Sequence, residues 1–236
     1  MKFAKILVTT GVLLSAFLVT VEAFAATAGS ITQLSGTLAV QRADGSIRLL
    51  SQKSDVGQGD TLTTQTDSYA QVKFADGGIV TMKPNTRMKL DNFNYDAEQP
   101  DKDNMAYSLL KGGLRFVSGL IGKRGNKDAY KLQTATATIG IRGTAGGADD
   151  CLDPQNPCVN PDSKLTLPSG VYVNVTEGEI VVANGSGTVN LTEGQFGLIG
   201  LNQPPISIPP NVAVPPFALP PGFGGAGTTN QECVVR

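Results

Sequence analysis

The 236-residue sequence predicts an all-β fold, and three observations carry the prediction. Between residues 29 and 200 apolar and polar side chains alternate with a period of two, which places one face of each short segment against a core. Glycine-bearing turn signals interrupt the alternation at short intervals. No segment shows an apolar stripe at helical spacing of useful length. The expected architecture is a β-solenoid-like stack of short strands, with a β-sandwich as the alternative, and an extended proline-rich C-terminal tail.

Residues 1–25 stand apart from that fold. Lys2 and Lys5 precede an uncharged apolar run over 6–21, and Ala23-Phe24-Ala25 fits the small-x-small site of a signal peptidase. Cleavage is expected before Ala26. The run falls short of the roughly 20 apolar residues of a spanning helix, and no second apolar run follows. An exported chain with no membrane span after cleavage is therefore expected.

The strands are clearest in "SYAQVKFADGGIVTMKPNTRMKL". Ala70, Val72 and Phe74 alternate with Gln71 and Lys73, and "ADGG" supplies a turn whose glycines accept positive φ. Val80 and Met82 then alternate with Thr81 and Lys83, "KPNT" turns the chain, and Met88 and Leu90 alternate with Arg87 and Lys89. Further strands are expected at 36–41, 47–50, 107–110, 114–117, 130–138, 164–167, 171–175, 179–183 and 188–191. Residues 94–104 and 122–128 are rich in charge and turn formers and are expected as mobile connections.

"NVTEGEIVVA" at 174–183 recurs as "NLTEGQFGLI" at 190–199, with Glu177-Gly178 and Glu193-Gly194 in the same place. Lys111-Gly112 before Leu114 is a looser relative. A strand-turn unit repeated at short period suggests stacked rungs, and two similar hairpin strands in a sandwich would look the same. After residue 200 four Pro-Pro pairs alternate with aliphatic residues. The backbone of that tail is expected to be polyproline II, and its aliphatics are expected to pack against the domain.

Composition removes several functions. Histidine is absent, which excludes Ser-His-Asp and Cys-His catalysis and most zinc sites. A formal charge of −1 gives no footprint for nucleic acid. Tryptophan is absent, so a sugar site stacked on tryptophan is excluded. Of three cysteines, Cys151 and Cys158 share a polar, proline-bearing loop and are expected to bridge, which leaves Cys233 unpaired. Asp149, Asp150, Asp153 and Asp162 could offer oxygens to calcium, but their spacing departs from the EF-hand pattern, and the loop is read as solvated. "GKRGNKDAYK" at 122–131 is likewise read as a solvated basic loop. No catalytic residue, cofactor or metal site is expected.

The stretch "TATATIGIRGT" at 134–144 ends a small apolar strand with one guanidinium. Gly140 and Gly143 around Arg142 leave the backbone room for close approach or positive φ. A planar fork of five donors suits a carboxylate or chain carbonyls. Arg142 is expected as a structural clamp, paired with Asp60, Asp76, Glu177 or Glu179. The alternative is a hook for an anionic ligand, and Gly140, Gly143 and Thr144 would complete either arrangement.

Five segments in this order, "VGQGDTLTT" (56–64), "VKFADGGIVTMKPNTRMKL" (72–90), "LLKGGLRF" (109–116), "LQTATATIGIRGT" (132–144) and "VTEGEIVV" (175–182), resemble FecR domains. The resemblance implies a FecR-like all-β domain over 26–200, with core motifs at 56–144, an insertion at 145–170 and a tail at 201–236. It also implies an address in the periplasm or at the cell surface of a Gram-negative bacterium. In the founding members such a domain relays receptor occupancy to a sigma factor through an anti-sigma segment and a membrane helix, and neither is visible in this sequence. The expected role is a non-enzymatic binding or scaffold module for an envelope protein partner, acting through a sheet edge. A glycan or small anion held by Arg142 is the alternative ligand.

Overall fold

The computed structural model describes residues 27–126, 128–160, 162–214 and 218–223. The expected signal peptide, its expected cleavage site and Cys233 lie outside the described residues. The strands among them are β1 (Thr27–Ser35), β2 (Leu38–Gln41), β3 (Ile47–Leu50), β4 (Asp55–Gly57), β5 (Thr61–Thr64), β6 (Tyr69–Phe74), β7 (Ile79–Met82) and β8 (Arg87–Asn94). They continue as β9 (Asn104–Lys111), β10 (Gly113–Val117), β11 (Tyr130–Gln133), β12 (Thr138–Asp150), β13 (Val171–Asn184), β14 (Gly187–Thr192), β15 (Phe196–Ile199) and β16 (Ile206–Ile208). The only helical turns among the described residues are two short 3₁₀ segments at Pro100–Lys102 and Pro210–Val212. The fold is all-β, as expected.

The strands join in the order β3-β2-β5-β8-β9-β11-β12-β10-β7-β6-β1-β4, and β13 to β16 extend the sheet from β12. All these ladders are antiparallel except β9 with β11, so the pairing does not confirm the stacked-rung detail. Within the repeat, both glycines take positive φ, +80° at Gly178 and +78° at Gly194. The first copy, however, runs on within β13, whereas the second makes the turn between β14 and β15.

One strand organises the sheet. The first half of β12, Thr138 to Gly140, pairs with β11, and its second half, Ala145 to Asp149, pairs with β10. Both partners share one edge because β13 occupies the other along almost the whole length. The sheet therefore divides into two arms that meet at β12 and curl over a common core. Phe74 on β6 and Phe93 on β8 stack across the arms with ring centroids 5.7 Å apart. Val72, Val80, Leu114 and Phe116 of one arm and Leu62, Met88, Tyr107 and Leu132 of the other belong to one buried cluster. Each such side chain contributes about 1.5–3 kcal/mol on burial.

Residues 164–167 form no strand, contrary to expectation; Thr166 makes an isolated bridge with Val159. The tail packs against the domain where it is described. β16 pairs with β15, and Asn160 Nδ2 donates to the Ala213 carbonyl at 2.8 Å. Phe223 is buried edge-on against Tyr69.

Candidate functional site

The bend of β12 is where Arg142 sits. Its register with β13 shifts between Arg142↔Glu179 and Ala145↔Glu177 and again before Gly146↔Val175. These irregularities bend the strand, as bulges do. Gly143 has φ +68°, and a Cβ on Gly178 would lie 2.7 Å from the Gly143 carbonyl, so both positions require glycine. Gly140 does not, because a Cβ there would make only an ordinary contact 3.7 Å from the Val181 carbonyl. Thr144 is buried and fastens the bend: its hydroxyl donates to the Glu179 carbonyl, and its amide donates to Ser118 Oγ at 2.8 Å.

Arg142 itself is held loosely. Nη2 reaches Asp128 Oδ1 at 2.9 Å, and neither side chain is buried. None of the four expected carboxylates pairs with it. Asp60 is taken by Arg42, and Asp76 caps its own turn and accepts from the Gly78 and Ile121 amides. The Arg142 Nε is buried without a hydrogen-bond partner among the described residues.

A multiply bonded arginine does occur, in the basic loop read as solvated. Arg124 donates from Nε to Asp103 Oδ2 at 3.1 Å, from Nη1 to the Ala97 carbonyl at 3.1 Å and from Nη2 to the Asp96 carbonyl at 2.8 Å. It also lies over the Tyr95 ring, 4.9 Å from the centroid. Asp103 lies 21 positions upstream of Arg124 and Tyr95 further still, so no local pattern in the sequence signalled this.

At the far end of β12 the 151–158 loop is stapled by the Cys151–Cys158 disulfide, whose Cα atoms are 5.4 Å apart. Beside it lies a cleft of about 810 Å³, bounded by the 83–86 turn, the 110–113 turn and the disulfide loop. Lys83 Nζ binds Asp149 Oδ1 at 2.6 Å in its wall. Asp149 is thus buried and paired, not solvated as the loop was read. Burial raises its carboxyl above the usual carboxylate range, while Lys83 pulls the other way. Asp150 is raised in the same way by burial, whereas the side chain of Asn156 holds exposed Asp153 low. The described residues contain no cluster of ligands for a metal ion.

A third feature is the free edge of β3. Its partner is β2, and the other edge is unpaired. Ile47 and Leu49 share one face of this strand and are 73% and 71% exposed. No helix among the described residues is long and apolar enough to cross a membrane.

Comparison with known proteins places these features in context. Residues 60–156 match the family model described as FecR protein. Two crystal structures of a candidate anti-sigma factor from Parabacteroides distasonis ATCC 8503 are similar, at 12% and 13% identity, with 63% of this chain and 58% of that chain covered and a TM-score of 0.43 in each case. The chain therefore spans less than two thirds of the length of that protein. A structure described as a cell surface anchoring domain is 28% identical over 26% of this chain and 80% of that chain, with a TM-score of 0.25. No curated protein matches the chain.

Proposed function

We propose that the chain, whose residues 60–156 match the family model described as FecR protein, is a non-enzymatic module of the cell envelope that holds a protein partner by strand addition at β3. A single observation carries the reading. β3 ends the sheet with an unpaired backbone edge and offers Ile47 and Leu49 to solvent. Native sheets normally protect such an edge, and an extended segment that pairs with it would gain main-chain hydrogen bonds and an aliphatic contact together. An address in the periplasm or at the cell surface goes with this reading, since the N-terminal residues read as an export signal.

A photo-crosslinking residue at position 49, in cells that make the protein, tests the proposal. A discrete crosslinked species is expected, absent when the same residue replaces exposed Thr188 on β14, and lost when Ile47→Lys is added. Equal labelling from both positions, or none from either, would sink it.

A second reading rests on Arg142, whose Nε lacks a partner and whose only described ion pair is with exposed Asp128. There the guanidinium would hook an anionic envelope ligand. Retention on peptidoglycan, lost in Arg142→Ala with folding intact, is the expected result; equal retention of both proteins, or no retention of either, would remove it.

A further inference from the structure

Buried polar atoms without a partner are not scattered evenly through the molecule. Among the described residues there are six such atoms, and three of them, Arg115 Nε, Asn174 Oδ1 and Thr176 Oγ1, belong to residues that line one small chamber. The chamber lies on the outer face of β10, β12 and β13, where Arg115 stands beside Gly147 and Gly147 beside Asn174. Asn174 is 2% exposed. Gly147 makes the space, since a Cβ there would come within 2.9 Å of Asn174 Nδ2 and 3.2 Å of the Leu114 carbonyl. Thr176 is the extra residue between the Gly146↔Val175 and Ala145↔Glu177 pairs, so the irregularity in β13 supplies the third polar group.

The free volume of about 10 Å³ admits one water-sized group. Chemistry narrows the occupant further. Arg115 Nε can only donate, Asn174 Oδ1 can only accept, and the threonine hydroxyl can do either. The group that suits all three both accepts and donates from one oxygen atom. A halide or a carboxylate oxygen would face Asn174 Oδ1 unfavourably, and an ammonium would face the guanidinium.

We propose that this chamber is a binding site for a single hydroxyl group, bridging Arg115, Asn174 and Thr176 across neighbouring strands. Two sources share that chemistry. One is a water molecule held as part of the fold. The other is a hydroxyl of a small polyol lying in the 810 Å³ cleft, which shares Lys83 and Asp149 with the chamber wall.

The sign of one stability change tests the proposal. Thr176→Val keeps the shape and removes one partner. With a hydroxyl group bound, the melting temperature should fall; in a dry chamber, deleting an unsatisfied buried hydroxyl should raise it or leave it unchanged. A rise or no change would overturn the proposal. A high-resolution crystal structure of the unsubstituted protein, native and soaked in sorbitol, separates the sources. Oxygen-sized density at hydrogen-bond distance from the three atoms in both crystals assigns water, and density continuous with sorbitol assigns a polyol. A chamber empty in both crystals, or bromide anomalous signal there after a halide soak, would overturn the assignment.

Discussion

Arg124 grips Asp103 with two nitrogens, Nε at 3.1 Å and Nη2 at 3.0 Å, and the carboxylate side chain it grips has no solvent exposure. The two residues join the 96–103 connection to the segment that leads into β11. Both connections read from sequence as mobile are thereby fixed to each other.

The two arginines should behave differently on truncation. Arg124→Ala leaves the Asp103 carboxylate buried and unpaired, a change that typically costs about 3–5 kcal/mol. Arg142→Ala removes only an ion pair between side chains that both reach solvent, with a typical worth of about 1 kcal/mol or less. Chemical denaturation of the two variants in parallel would show the difference. Equal losses would mean that the clamp has been assigned to the wrong arginine.

The bend of β12 predicts a glycine contrast. Gly178→Ala places a Cβ against the Gly143 carbonyl and forces an alanine to φ +80°, for which about 1–2 kcal/mol of backbone cost is expected before any clash is counted. Gly140→Ala meets nothing closer than 3.7 Å and should stay within about 0.5 kcal/mol of the parent. Denaturation midpoints settle both.

Breaking the staple should loosen the 151–158 loop. A Cys151→Ser, Cys158→Ser double variant is expected to lose about 2.5 kcal/mol on the chain-entropy account of a loop this short. Thermal melts of the parent with and without reductant should reproduce the same drop, and a parent indifferent to reductant would show that the bridge does not form.

Acid should act unusually at the cleft. The Asp150 carboxyl is raised above 3.8, first by burial, and Asp153 pushes it the same way. A carboxyl with a raised pKa binds more protons folded than unfolded, so its ionisation lowers stability as pH climbs from about 3.8 through its folded value. Asp150→Asn keeps the acceptor for the Leu152 amide but carries no charge. The variant should therefore melt higher than the parent at pH 7, by less than about 1 kcal/mol, and the two should converge below pH 4. A parent that stays ahead at neutral pH would contradict this.

Much of the architecture was legible in residue order. Alternation located the strands around Val72, Val80 and Met88, and the turns at Gly77 and Asn85 do take positive φ, +85° and +55°. The cysteine pair was legible because both residues share one short loop. Pairing order was not legible. β9 lies parallel to β11, and β10 and β11 take turns along β12, because one core must be closed by two arms; no local pattern encodes that choice. The same limit hid Lys83 with Asp149, which are 66 positions apart. It misdirected Arg142 as well, because Arg42 and a backbone turn had already engaged Asp60 and Asp76.

Because β10 and β11 dock one after the other along a single edge of β12, the chain cannot be cut there into self-sufficient pieces. A fragment ending at residue 143 would keep every residue of β10 and lose the neighbour that covers it, while a fragment beginning there would contain neither β10 nor β11. Nicking or truncating this strand should therefore bring down both arms in one transition, and surface loops are the only workable places to divide the protein.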